Sequence, residues 1–326
     1  KETDVDGKVS ITIDGSDAPG VEAIVAIYAD SNNSIDGEGT ITNPFKTIEL
    51  VLDKVATLKD VNRVTIYVAG GDYTLAEASN LWVDADWNFA RGATVTADKS
   101  AATTFNAIFD QEAAVTDGLI TGDDNNAPNV FGSGKFITSN CRVYETKQYA
   151  QGDTTINANR LYRFSFLDIE CDTTAIYINS TAYIGGGQNR HRYIIEPESL
   201  GTIRMIDAGI DNNNKGIIEK GVAGGHADFG LSNMLLIDET IGGSANSAII
   251  QLRSSSQDSY IRNVEFATTS DAGRKTTLVS IIGKAIGFEF SNLSFPNGST
   301  TTNTEAGSFF YFNLSNIGSL EKVIRN

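Results

Sequence analysis

Cysteine is nearly absent: the 326-residue chain has only Cys141 and Cys171, without the Cys-x-x-Cys spacing that metal or redox chemistry uses. A disulfide framework is thereby excluded, and two buried thiols are expected, with a single Cys141–Cys171 bridge as the alternative. Histidine is equally scarce, His191 and His226 standing far apart. Basic charge is short as well, since 25 Lys and Arg face 41 Asp and Glu for a formal net charge of −16. Such a surface repels a phosphate backbone, and no basic cluster interleaved with aromatics offsets it, so nucleic acid is not an expected partner. Long apolar runs are missing too. VEAIVAIYA at Val21–Ala29 and MLLI at Met234–Ile237 fall far short of the roughly 18 residues that cross a bilayer, so no membrane span is expected. The chain starts at Lys1 with neither an initiator methionine nor a signal-type segment, from which a processed product or a fragment of a longer polypeptide is expected.

What is present describes a folded protein. Apolar residues make up 40% and charged residues 20%, which suffices for a substantial core in either one elongated domain or two compact ones. Five prolines and abundant Gly, Ser, Thr and Asn mark frequent turns. KVSITI at Lys8–Ile13 and EAIVAIYA at Glu22–Ala29 read as strands separated by the turn-rich DGSDAPG. Next comes DGEGTITNPFKTIELVLDKV, Asp36–Val55. Asn43 suits an N-cap and Pro44 a first helical position, while Phe45, Ile48, Leu52 and Val55 fall on one face. The expectation is a helix of about 15 residues ending near Lys59-Asp60. RVTIYVAGGDYTL, Arg63–Leu75, follows as a β-branched strand that stops at Gly70-Gly71.

Downstream a repeat emerges around one polar residue: Asp168, Asn233, Asn263, Asn292 and Asn316. Two positions before it stand Phe166, Leu231, Ile261, Phe290 and Leu314, and directly after it Ile169, Met234, Val264, Leu293 and Ile317. Apolar residues two apart mean a strand with one buried face, and an apolar residue immediately after the polar one means that the chain bends there. Asn tolerates the left-handed conformation that such a bend needs. Repeats of about 25 residues built from strands predict an all-β solenoid, a parallel β-helix, in which each unit buries its apolar residues against its neighbours. A β-sandwich has short alternating strands too, but gives no reason for a bend recurring at one place in every unit. The expected organisation is 1–30 as N-terminal strands connecting to a preceding region, 31–62 as loop and helix, and 63–326 as the β-helix. A stack of coils has an open end with unpaired edges, and the face of Phe45, Ile48, Leu52 and Val55 is suited to covering it as a capping α-helix.

The opening segment resembles that of right-handed parallel β-helix proteins of the pectate-lyase-like superfamily, through Gly39, Thr40, Pro44, Phe45, Thr47, Ile48, Gly71 and Tyr73. FARGATVTA, Phe89–Ala97, is similar to early coils of phage tailspikes, and NVFGSGKFI, Asn129–Ile137, resembles Gly-x-Gly coil turns of the same superfamily. The resemblance implies a tail spike, fibre or similar surface fibre that binds host-surface glycan without cleaving it. It further implies a homotrimer, contacts with other virion or surface proteins, and an extracellular or virion-surface location. The alternatives in the same superfamily are a secreted polysaccharide lyase or glycoside hydrolase, and a pure scaffold.

Candidate chemistry is sparse. Asp123, Asp124, Asp207 and His226, with Arg204 and Asp228, are the residue types of a polygalacturonase-like acid–base set, but Arg204 precedes His226 where the resemblance requires the reverse order. No required cofactor is expected. DSNNSIDGE, Asp30–Glu38, offers Asp30, Asn32, Asp36 and Glu38 as oxygen ligands for Ca²⁺, although Ile35 stands where an EF-hand places its turn glycine. For carbohydrate the candidates are Trp82 and Trp87 as stacking platforms and the basic island Arg190, His191 and Arg192. Core packing is the competing reading of the two tryptophans.

Overall fold

The computed structural model describes residues 2–3, 9–10, 25–58, 64–100, 106–116, 128–146, 161–165, 168–179, 191–197, 199–206, 216–221, 227–239, 248–252, 256–257, 259–268, 277–282, 285–286, 288–294, 310–313 and 323–325. The chain is all-β, dominated by long parallel sheets. A short antiparallel pair, Glu2–Thr3 with Val9–Ser10, stands apart. Among the described residues every other strand pair is parallel.

The 15-stranded sheet doubles back on itself and so forms two rows. The first row starts at Val25–Ala29 and continues through Val64–Val68, Ala85–Phe89, Asn129–Gly132, Leu161–Ser165 and His191–Ile195 to the long strand Ala227–Asp238. The second returns from that strand through Gly201–Met205, Asp168–Cys171, Lys135–Ser139 and Ala93–Asp98 to Gly71–Leu75. A separate 7-stranded sheet, from Ala107–Asp110 to Phe310–Asn313, makes a third row. Each successive repeat therefore lays one strand, or half of a long strand, on the equivalent segment of the repeat before it.

Alternation along each strand decides what is buried. In the first row Ile27, Ile66, Trp87 and Val130 stack in register and are all buried. Leu231, Ile261 and Phe290 continue the same inward column. Each fully buried large side chain is worth about 1.5–3 kcal/mol, so a column of this length holds neighbouring repeats in one register.

Three of the five expected bend residues adopt the left-handed conformation. Asn233, Asn263 and Asn292 adopt φ of 56°, 52° and 51°. Their amides form a ladder: Asn263 Nδ2 donates to Asn233 Oδ1 at 3.1 Å across 30 residues, and Asn292 Nδ2 to Asn263 Oδ1 at 2.7 Å across 29. Asn233 Nδ2 reaches Pro197 O at 3.4 Å, where the ladder meets the preceding repeat. Met234 and Val264, directly after two of these bends, are buried, as the switch in apolar pattern requires. Asp168 does not belong to this ladder. It is exposed, opens its strand, and pairs with Thr202, which pairs with Leu235, so it lies two positions beyond Asn233 in register. Asn316 lies outside the described residues. A second corner escaped the repeat pattern: Asn140, φ 57°, donates from Nδ2 to Asp98 Oδ1 at 3.1 Å and from its backbone to Asp172 Oδ1 at 2.9 Å. The Asn140 amide holds the Asp98 carboxyl below the usual carboxylate range.

The helix is shorter than expected. It spans Ile48–Ala56, with Thr47 as N-cap and its side chain accepting from Leu50 N. The reason lies in Phe45, whose N–H donates to Tyr28 O and whose carbonyl accepts from Asp30 N, both as in a strand. A residue bridged to Ala29 in this way cannot enter a helix, so Asn43 closes a turn instead, its carbonyl accepting from Glu38, Gly39 and Thr40. Gly39 sits at φ +81°, where a side chain would collide with the Phe45 ring. On the helix, Ile48 and Val51 are buried while Leu52 and Val55 pack partly buried against the core. Tyr73, buried in the next repeat, pins the loop from the other side: its hydroxyl donates to Ala69 O at 3.0 Å and accepts from Ser31 N at 3.1 Å.

Candidate functional site

The tryptophans lie in the core. Trp82 and Trp87 are both 0% exposed, Trp87 stacking on Phe89 at 5.8 Å and meeting the edge of Phe109 at 6.3 Å. They cannot present a ring face to a sugar, and the reason is register: Trp87 occupies the inward column between Ile66 and Val130. Asp123, Asp124, Asp207, His226 and Arg190 lie outside the described residues. His191 opens its strand and pairs with Ala227. The described members of the acid–base set are not gathered on one face. Asp228 lies on the first row, 4.0 Å from the half-exposed Arg192, whereas Arg204 lies on the second, bound to Glu239 at 2.8 Å.

The candidate calcium loop is closed by its own hydrogen bonds. Asp30 Oδ1 accepts from Asn32 N at 2.9 Å and Asn32 Nδ2 at 3.1 Å, and the same amide donates to Gly70 O at 2.9 Å. Asn32 therefore turns a donor towards Asp30, where a cation would require an oxygen. Asp36 and Glu38 are exposed, and among the described residues no three of His, Cys, Asp and Glu are grouped to hold a metal. Both cysteines are free and buried, and burial pushes the Cys141 thiol up to about 12.

Two clusters stand on the outer side of the first row. The later one joins Arg192, Glu196, Asp228, Tyr260, Arg262 and Glu289. The Tyr260 hydroxyl donates to Glu196 Oε1, and burial, then that carboxylate, pushes the phenol above its ordinary value. Arg262 lies 4.3 Å above the Tyr260 ring and binds Glu289 at 2.6 Å. Gly230 leaves room for the ring, since a Cβ there would lie 2.5 Å from Tyr260 Cζ. Hydrogen bonds, ion pairs and a cation–π contact join these groups across adjacent repeats, which makes the cluster a strut.

The earlier cluster is open. Tyr28 and Tyr67 are paired in register on the outward column, their rings stacked at 5.1 Å with planes 15° apart. Asn88 is the next residue of that column. Beside them lies a cleft of about 330 Å³ lined by Tyr28, Asp30, Ile41, Pro44, Tyr67 and Asn88 together with the strand residues Val68, Ala69, Phe89 and Ala90. Tyr67 is 42% and Ile41 72% exposed. The strands fix the tyrosines, and the 38–45 turn, closed on Asn43 and Phe45, fixes Ile41 and Pro44 opposite them. Comparison with protein-family models, with curated proteins and with solved structures returned no match.

Proposed function

We propose that the chain is a right-handed parallel β-helix of the pectate-lyase-like kind, capped by the helix Ile48–Ala56, and that it serves as the shaft of an adhesive surface fibre or spike that binds glycan without cleaving it. The three parallel rows in continuous register, the asparagine ladder and the Gly39–Phe45 and Tyr73 contacts support the fold. The observation that carries the function is the stacked pair of the half-buried Tyr28 and the exposed Tyr67, which lines an open cleft on this rigid face. Aromatic faces beside polar groups suit sugars, and a site built on strands is held more tightly than one on loops. A homotrimer at a virion or cell surface fits this reading. Among the described residues no helix is long and apolar enough to cross a membrane.

The test combines a glycan array with a search for new reducing ends or unsaturated products on every glycan that binds, and with mass by light scattering. Retention without products, on a trimer, is the expected result. Turnover of a bound glycan would replace the adhesive reading with an enzymatic one.

A further inference from the structure

We infer that the Tyr28–Tyr67 cleft takes one or two uncharged pyranose units of a neutral glycan, held by C–H contact with the tyrosines and by hydroxyl contacts with Asp30 and Asn88. The inference rests on the glycan-binding reading above and specifies its site and ligand class. Volume sets the ligand's size: about 330 Å³ is near the lower end of ligand pockets, which start at roughly 300 Å³. Charge sets its class. Among the described residues the cleft is lined by one charged side chain, the Asp30 carboxylate, and by no Lys or Arg. A uronate or sialate would meet repulsion and no compensating cation, whereas sugar hydroxyls are donors that a carboxylate accepts readily.

The polar groups are placed for that role. Asp30 is oriented by the two donations from Asn32 to Oδ1, which leaves Oδ2 for a ligand. Asn88 makes one long bond, Nδ2 to Asp86 O at 3.4 Å, so its carbonyl oxygen has no protein partner among the described residues. Register supplies the apolar contact. The ring stack runs from Tyr28 to Tyr67 and gives way at the next rung to the short Asn88 side chain, so one face of the Tyr67 ring is left without an aromatic neighbour on that side.

The experiment uses the whole chain on an array of uncharged gluco-, manno- and galacto-oligosaccharides alongside uronate- and sialate-bearing glycans, then calorimetric titration of the strongest neutral hexasaccharide. Tyr67→Ala, Asp30→Asn and Arg262→Ala are compared after circular dichroism shows that each retains the fold. The expected result is neutral binding weakened about tenfold in Tyr67→Ala, corresponding to about 1.4 kcal/mol, weakened also in Asp30→Asn, and unchanged in Arg262→Ala. Binding confined to acidic glycans overturns the ligand class, and neutral binding that survives Tyr67→Ala overturns the site; both leave the glycan-binding reading intact. An array blank for every class overturns both.

Discussion

Replacing Asn263 tests what holds the repeats at their sharpest bend. Asn263 contributes a left-handed backbone conformation, φ 52°, and two ladder hydrogen bonds, 3.1 Å to Asn233 and 2.7 Å from Asn292. Asn263→Ala removes both bonds and replaces Asn, whose short polar side chain tolerates the left-handed region, by a residue that bears more of that region's cost of about 1–2 kcal/mol. Intramolecular hydrogen bonds are worth about 0.5–1.5 kcal/mol each, and the exposure of Asn263 places these near the lower end. The expected loss is about 1–3 kcal/mol. Asn263→Gly loses the same two bonds but tolerates positive φ, so it should fall between wild type and alanine, offset in part by the greater freedom of glycine in the unfolded chain. Urea unfolding gives the global values. Because stacked repeats can open separately, amide exchange of Tyr260–Thr268 is the local readout. An alanine variant within about 0.5 kcal/mol of wild type, a bound below the worth of the two bonds, would refute the ladder's contribution. A glycine variant less stable than alanine would refute the backbone argument.

Further outcomes are expected elsewhere. Ile48→Asp puts a carboxylate where a side chain is 1% exposed, at a cost of about 3 kcal/mol or more; insoluble product is expected, and a soluble variant of wild-type melting temperature would remove the helix from the cap. Burial lowers the fully buried Lys220 ammonium to about 7 from 10.5, with Asp228 opposing, so above about pH 7 the unfolded chain holds a proton that the folded chain has released, and stability should rise with pH. That rise should level off above about pH 9, where the Cys141 thiol ionises in the unfolded chain but stays protonated in the fold, burial having moved it from 9.0 to about 12, so that its slope cancels that of Lys220. Melting temperatures measured from pH 6 to 10 check this, and Lys220→Met should flatten the rising limb; a wild-type curve that falls from pH 7 to 9 would contradict it. Cys141 and Cys171, both buried, should react with a thiol reagent only on unfolding, and rapid labelling of the native chain would contradict their burial.

The features legible in the sequence are those that a short segment decides alone. A residue that must adopt positive φ selects Asn or Gly locally, and the apolar pattern changes phase at that residue, so Asn233, Asn263 and Asn292 announce their bends. Asp168 shares the flanking pattern without the bend because alternation repeats every two residues, and a shift of two preserves every inward position; only pairing with Thr202 reveals it. The helix start misleads for a related reason. Asn43-Pro44 carries good local capping chemistry, but Phe45 is claimed by a backbone bridge to Ala29, a contact between segments. The same logic governs the surface. Alternation puts Trp87 and Asn88 on opposite faces, yet which face is inward is settled by Ile66 and Val130 on either side. Tyr28 and Tyr67 look like unrelated strand residues until register lays one ring on the other. A binding face on a stack of repeats is assembled across the chain, one residue per rung, so its ligand contacts carry no contiguous motif, and substitutions in one rung can alter binding without disturbing the local signals that specify the stack.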